Sequence, residues 1–201
     1  MVRYPKGQVP RSSIQTNPVN RIINYGSRGM SLEERINESN RFYLQRNIAV
    51  IHKKPTPIQV VKVDYPKRSA ARISEAYYRQ ASTTDYNGIY QGFYIDFEAK
   101  ETKNKRSFPL SNLKDHQINH MKACFEQGGL VFLMICFTNQ QEVFLLPYQD
   151  LANWLDHSPK ASISYDYIKE NAYLCKQGVF PQIDYLLAVD QYLADQPSSP
   201  K

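Results

Sequence analysis

One short run constrains the fold more than any other, because residues 94–100 alternate between apolar and charged side chains. In an extended strand, successive side chains point to opposite faces. The apolar members would share one face: Ile95, Phe97 and Ala99. The charged members would share the other: Asp96, Glu98 and Lys100. The run therefore predicts a β-strand with one face toward a core and one charged face.

A hairpin turn at Gln91-Gly92 would pair this strand with the segment before it. In that register Asp85 lies opposite Glu98, and Thr83 lies opposite Lys100. Directly opposed Cβ atoms are ~4.5–5.5 Å apart, so the two carboxylates would repel unless a cation such as Mg²⁺ lay between them. A slip of one residue would move Asp85 to the other face. The register thus predicts a metal site assisted by a lysine, the minimum set for metal-assisted phosphodiester cleavage.

A rival register is possible, because Asn87-Gly88 is the stronger hairpin dipeptide. It would set Asp85 opposite Tyr90 and leave Glu98 far away. We favour the turn at residues 91–92 because it gathers the polar side chains on one face. An ordinary amphipathic hairpin with a solvated polar face remains the alternative, since two carboxylates and a lysine form a loose pattern.

The charge of the chain is unevenly distributed. Its 201 residues carry a net charge of +6, and this length fits one domain with extensions. Residues 1–137 hold 21 basic and 11 acidic residues, whereas residues 138–201 hold 4 basic and 8 acidic residues. The candidate site lies in the basic part, which suits a polyanionic substrate such as nucleic acid.

Cysteine content and hydropathy favour a cytoplasmic protein. The three cysteines form no Cys-X-X-Cys pair, which argues against a zinc site or a disulfide framework. No signal peptide is visible at the N-terminus. The longest apolar run, residues 130–137, is too short to cross a bilayer. We therefore expect a cytoplasmic protein that has no membrane partner.

Periodicity predicts alternating helices and strands. The capping box Ser31/Glu34 predicts the start of the first helix, and the continuous apolar run 129–137 predicts a strand buried on both faces. The predicted helices cover 31–46, 113–127, 147–155, 165–171 and 183–193. The other predicted strands cover 48–52, 58–63 and 142–146. This order indicates an α/β fold with a mixed central sheet flanked by helices.

Two segments are predicted to lie outside the compact fold, together with a disordered tail at 196–201. Residues 1–24 are basic and rich in Pro, Ser, Asn and Gln, which indicates a flexible basic arm. Residues 66–81 are predicted to project as a helical or irregular excursion. Its basic residues are interleaved with aromatic residues, among them Tyr77 and Tyr78. This pattern suits a surface that binds nucleic acid, although a solvated amphipathic helix has the same composition.

The helix predicted at 113–127 carries two histidines. Ser111 or Asn112 is its expected N-cap. His116 and His120 have the spacing of a metal-binding pair, but no zinc-protease motif accompanies them. We therefore predict that these two histidines are not ligands.

Six segments together carry the pattern of a known family: 29–33, 48–57, 65–71, 82–88, 94–103 and 115–117. With the order of a helix, a hairpin Asp, Glu-X-Lys and a helix bearing Gln, they resemble the RecU-type Holliday junction resolvases of the PD-(D/E)XK nuclease superfamily. The similarity runs from about residue 25 to 195. It implies a restriction-endonuclease-like core with a stalk insertion around 66–81.

The resemblance implies a homodimeric enzyme that nicks four-way DNA junctions symmetrically and also acts on the RecA recombinase. Mg²⁺ is the implied cofactor, with Mn²⁺ as a substitute. The implied metal-site positions are Thr83, Asp85, Glu98 and Gln117. Asp85, Glu98 and Lys100 are the implied catalytic residues.

Seven basic residues near these elements are the predicted DNA contacts: Arg28, Lys67, Arg68, Arg72, Lys103, Lys105 and Arg106. Two other functions use the same surfaces, namely a non-catalytic DNA-binding regulator of recombination on a nuclease core and a nuclease for ordinary duplex DNA. The intact set of two carboxylates and a lysine argues against the regulator, which has no need of a metal site.

Overall fold

The computed structural model describes residues 29–67, 70–79 and 82–196. The helices within these residues are α1 Leu32–Gln45, α2 Asp115–Glu126, α3 Tyr148–His157, α4 Tyr165–Asn171 and α5 Tyr185–Asp195. The strands are β1 Val50–Lys53, β2 Ile58–Asp64, β3 Arg72–Tyr78, β4 Tyr86–Tyr90, β5 Phe93–Thr102, β6 Ser107–Pro109, β7 Leu130–Phe137, β8 Glu142–Pro147, β9 Ser162–Ser164, β10 Tyr173–Leu174, β11 Lys176–Gln177 and β12 Ile183–Asp184. The predicted arm at 1–24 and tail residues 197–201 lie outside the described residues.

A six-stranded sheet in the order β1-β4-β5-β7-β8-β10 forms the centre of the fold. Strands β5 and β7 run parallel, and the other neighbours are antiparallel. All eight residues of β7 are buried, because helices cover both faces of the sheet at this position. The prediction of a mixed central sheet flanked by helices is confirmed.

The two faces of the sheet pack into separate cores. On one face, Ile95 and Phe97 of β5 pack with residues of α1 and α5. Phe97 stacks between Tyr86 and Phe132, with ring centroids 4.8 Å apart in each pair. The other face packs Leu133 and its β7 neighbours against α2, α3 and α4. Asp96, Glu98 and Lys100 of β5 lie on this second face, where Asp96 is beside His120 of α2.

Helix α1 begins as predicted, with a reciprocal capping box. The Glu34 amide donates to the Ser31 hydroxyl, and the Ser31 amide donates to the Glu34 carboxylate at 2.8 Å. The Leu32 amide also donates to the carboxylate of Glu101, near the end of β5. This last hydrogen bond attaches the start of α1 to the strand that carries the candidate site.

The projecting segment is a β-hairpin, so the prediction of a helical or irregular excursion at 66–81 is wrong. Strand β3 pairs antiparallel with β2, and the projecting unit therefore begins at Ile58. The pairing shifts register on both sides of Lys62, and such an irregularity hides a simple alternation in the sequence. Every residue of β3 is exposed. Both strands of this hairpin therefore extend away from the two cores.

The start of α2 also differs from the prediction. Ser111 and Asn112 belong to a short 3₁₀ helix and do not cap α2. The N-cap is Lys114, whose backbone amide donates to the Gln117 side-chain oxygen at 2.9 Å. Among the described residues, no helix is long and apolar enough to span a membrane.

Candidate active site

The hairpin of β4 and β5 turns at Gln91-Gly92, as the preferred register requires. Both residues have positive φ, 50° and 86°, as expected of a type I′ turn. Asn87 pairs with Asp96. The rival turn at residues 87–88 is wrong, because Gly88 lies within β4 between two strands. A Cβ on Gly88 would come within 2.1 Å of the Val50 carbonyl oxygen, so this glycine serves close strand approach.

This register brings Asp85 to Glu98. The Asp85 backbone amide donates to the Glu98 carboxylate at 3.1 Å. Lys100 follows on the same face, and its ammonium group forms an ion pair with the other oxygen of Glu98. Glu98 is fully buried, and about a quarter of the Lys100 side chain is exposed. The structure therefore gathers the two predicted carboxylates and the predicted lysine at one place.

The electrostatics at Glu98 are unfavourable for a negative charge. The pKa of Glu98 is raised to about 8, chiefly by burial and also by a hydrogen bond with the Asp85 side chain. The Lys100 ammonium partly offsets both effects. A pair of adjacent carboxyl groups of this kind favours either a shared proton or a bound cation. The arrangement is thus one in which a divalent cation would replace a proton.

The other two predicted metal-site residues have different partners. Thr83 is half-buried, and its hydroxyl donates to the Thr84 carbonyl at 3.2 Å. Gln117 is buried in the first turn of α2, where its side-chain oxygen caps the helix at Lys114. Their role as ligands stays a prediction.

A second buried carboxylate lies one step along the same face. Asp96 is fully buried and accepts hydrogen bonds from Lys54 at 2.7 Å, from the Tyr94 hydroxyl at 2.9 Å and from the Thr84 hydroxyl. His120 Nε2 lies 3.3 Å away. This network was not predicted from the sequence, because Lys54 and His120 lie 42 and 24 residues from Asp96 along the chain.

Asp96, His120 and Cys124 bring three potential ligand atoms within 4.8 Å of one another. The ammonium group of Lys54 lies among them, 2.7 Å from Asp96 and 3.4 Å from His120. This internal cation already compensates the carboxylate, so the cluster needs no metal ion for charge balance.

Five of the seven predicted DNA contacts belong to described residues, and all five are exposed: Lys67, Arg72, Lys103, Lys105 and Arg106. The first two lie on the β2–β3 hairpin and the loop that joins its strands, together with the exposed Tyr77 and Tyr78. The last three follow β5, beyond Lys100. Arg28 and Arg68 lie outside the described residues.

A family model described as "Recombination protein U" matches residues 27–191 of the chain. The chain belongs to the Recombination protein U family. It is 58% identical over 177 residues to "Holliday junction resolvase RecU" from Staphylococcus aureus strain JH9. The aligned residues cover 87% of this chain and 85% of that protein. The resolvase of strain Mu50 gives the same values. The predicted family is thereby confirmed.

A search of solved structures finds Hjc, a Holliday junction resolvase from Archaeoglobus fulgidus. The match covers 49% of this chain and 76% of that structure, with a TM-score of 0.34 and 14% sequence identity.

Proposed function

We propose that this member of the Recombination protein U family is an endonuclease that resolves Holliday junctions by hydrolysing phosphodiesters symmetrically, with Mg²⁺ as its cofactor and Mn²⁺ as a substitute. The observation that carries the proposal is the convergence of Asp85 and Glu98 from neighbouring strands, with Lys100 on the same face. The resolvases of S. aureus, which share most of this chain's length, support the four-way junction as the substrate.

The residues at the site fit a divalent cation. A buried carboxyl whose pKa is about 8 and which hydrogen-bonds a second carboxyl is stabilised when a cation takes the place of the proton. Oxygen ligands from carboxylates suit Mg²⁺. Asp85 and Glu98 would hold the ion, with Thr83 and Gln117 completing or orienting its shell. When bound, the ion supplies positive charge at the scissile phosphate and lowers the pKa of the attacking water.

The lysine has a separate task in this proposal. Its ammonium group is held against Glu98 and is partly exposed on the charged face of β5. A fixed cation in this position stabilises the negative charge that develops on the phosphate oxygens in the transition state. Its ion pair with Glu98 limits its motion, so little reorganisation is needed when DNA binds.

The exposed basic residues supply DNA binding. Lys103, Lys105 and Arg106 would hold phosphates next to the cut, because they follow β5 directly. The β2–β3 hairpin would bring Lys67 and Arg72 to the junction, with its exposed tyrosines available to stack on bases. Arg28 and Arg68 are proposed to add further phosphate contacts.

Symmetry accounts for paired cleavage in this proposal. A four-way junction has near two-fold symmetry, so a homodimer would present two equivalent sites to it. We also propose that the protein works in the cytoplasm and modulates the RecA recombinase.

The function is tested with a synthetic four-way junction and a linear duplex of the same sequence, each incubated in Mg²⁺ and in EDTA. The expected result is paired, symmetric nicks in the junction alone, and only with Mg²⁺. Cleavage of both substrates would indicate a general nuclease. Junction binding without cleavage would indicate a regulator of recombination.

The variant Asp85→Asn should lose cleavage and keep junction binding, because it removes a proposed ligand without changing the shape of the side chain. Asp156→Asn, an exposed aspartate on α3, is the matched control. Cleavage by Asp85→Asn at the wild-type rate would contradict the assignment of the metal site.

A further inference from the structure

Asp96 is the second fully buried carboxylate on the polar face of β5 and has no place in the function proposed above. It lies two residues before Glu98 and directs its carboxylate to the same face. Its partners come from distant parts of the chain. Lys54 follows β1, Thr84 precedes β4, and His120 is on α2. Asp96 therefore ties three separate elements to the central strand.

Two of these partners flank Asp85. Thr84, whose hydroxyl donates to Asp96 Oδ1, is the residue before Asp85. Lys54, whose ammonium donates to Asp96 Oδ2 at 2.7 Å, also donates its backbone amide to the Asp85 carbonyl at 2.7 Å. The Asp85 amide is held by Glu98. Both polar backbone groups of Asp85 are therefore fixed, and the carbonyl is fixed by a residue that Asp96 anchors.

Burial makes this anchor strong. The Asp96 side chain is 0% exposed and that of Lys54 is 18% exposed, so water screens their attraction weakly. Thr84 is buried as well. Removing the charge of Asp96 would leave Lys54 without its anionic partner and free the segment that carries Asp85.

We propose that Asp96 is a positioning residue that, through Lys54 and Thr84, holds Asp85 where it can share a divalent cation with Glu98. This inference rests on the proposed function. In this role Asp96 would contact neither the ion nor the DNA. Groups that orient metal ligands in this way change metal affinity by ~10–100-fold when they are replaced.

The chain offers an internal control. The Tyr94 hydroxyl also donates to Asp96 Oδ2, at 2.9 Å, but Tyr94 is on the same strand as Asp96 and pairs with Ile89 of β4 rather than with the segment 83–85. Tyr94→Phe removes one hydrogen bond from the same carboxylate without releasing Asp85. Comparing this variant with Lys54→Met and Thr84→Val shows whether an effect comes from losing any contact to Asp96 or from losing the contacts that position Asp85.

The test compares the wild type with Asp96→Asn, Lys54→Met, Thr84→Val and Tyr94→Phe. Calorimetric titration with Mn²⁺ in the absence of DNA gives metal affinity, and cleavage of a synthetic junction over a range of Mg²⁺ gives the half-saturating concentration. We expect Asp96→Asn and Lys54→Met to weaken Mn²⁺ binding and raise half-saturating Mg²⁺ by about tenfold or more. Thr84→Val should have a smaller effect in the same direction, and Tyr94→Phe should remain within about twofold of the wild type.

Saturating Mg²⁺ should restore most of the cleavage rate, because the ligands themselves are intact. A purely structural role would lower the melting temperature without moving the half-saturating concentration, and that result would overturn the inference. Lys54→Met and Thr84→Val decide the matter if Asp96→Asn fails to fold. If the wild type binds Mn²⁺ and all variants bind it equally well, this inference alone fails. If the wild type binds no Mn²⁺, the proposed function fails with it.

Discussion

Asp96 and Glu98 lie two residues apart on the same face of one strand, and both are fully buried. Their surroundings are opposite. Asp96 receives hydrogen bonds from an ammonium group and two hydroxyls, with a histidine nearby. Glu98 accepts hydrogen bonds from an ammonium group and a backbone amide, but it also lies against a second carboxyl group, that of Asp85.

The difference shows how a buried acid can indicate its task. A carboxylate whose charge is matched by donors fixes the elements that supply them. A carboxylate that adjoins another acid keeps an unfavourable interaction, and such interactions are concentrated at functional sites. The compensated end of the face is thus suited to positioning, and the uncompensated end is suited to binding a cation.

The largest expected effect is on cleavage activity, and it distinguishes Glu98 from Asp96. Glu98→Gln should lower junction cleavage on the order of 10³-fold at any Mg²⁺ concentration, since loss of metal-derived charge stabilisation removes several kcal/mol. Gel assays of nicking at low and saturating Mg²⁺ measure it. Asp96→Asn, in contrast, should approach wild-type rates at saturating Mg²⁺. If both variants lost the same fraction of cleavage activity at every Mg²⁺ concentration, the proposed difference between Glu98 and Asp96 would be wrong.

The next effect distinguishes them by stability. Asp96→Ala should lower the free energy of unfolding by about 3 kcal/mol, because it leaves a partly buried Lys54 unpaired. Glu98→Gln in EDTA should leave stability unchanged or raise it, because it removes a costly buried acid. Urea denaturation in EDTA measures both. A Glu98→Gln variant that is destabilised as much as Asp96→Ala would show that both carboxylates are structural.

A smaller effect concerns pH. The pKa of Glu98 is about 8 in the folded protein, above its ordinary value of 4.5, so the folded state binds more protons than the unfolded state between these values. Its contribution to stability is therefore lost as pH rises from about 5 to about 8. In EDTA, the stability of the wild type relative to Glu98→Gln should fall as pH rises across this range, by up to ~1.4 kcal/mol per pH unit. A difference that does not vary with pH would contradict the raised pKa.

The smallest effect tests the turn that sets both carboxylates in register. Gln91 adopts φ 50° without being glycine, and Asn is better suited to this position of a type I′ turn. Gln91→Asn should raise the free energy of unfolding by about 0.5 kcal/mol and leave cleavage unchanged. Thermal melts and nicking assays check this. Altered cleavage would mean that the turn itself contacts the DNA.

Local patterns predicted the strand that carries the site. Alternation at 94–100 and the turn at Gln91-Gly92 fixed which side chains share a face, and the structure has that register. The capping box at Ser31 is equally local, because its two partners are three residues apart. Patterns of this kind can be recognised in a sequence because the residues that interact lie within a few positions of one another.

The features that the sequence did not predict depend on distant partners or on broken periodicity. Lys54 and Asp96 are 42 residues apart, so no spacing rule connects them. The β2–β3 hairpin has a register shift at Lys62 that interrupts its alternation. Gln117 caps α2 from within the helix, whereas the predicted N-caps, Ser111 and Asn112, precede it.

The most direct test of the shared cation is calorimetric titration of Mn²⁺, without DNA, into the wild type, Asp85→Asn, Glu98→Gln and Asp156→Asn. Binding should be present in the wild type and in Asp156→Asn, and it should be weakened at least about tenfold in each of the other two variants. Equal Mn²⁺ binding by all four proteins would contradict the claim that Asp85 and Glu98 hold one divalent ion between them.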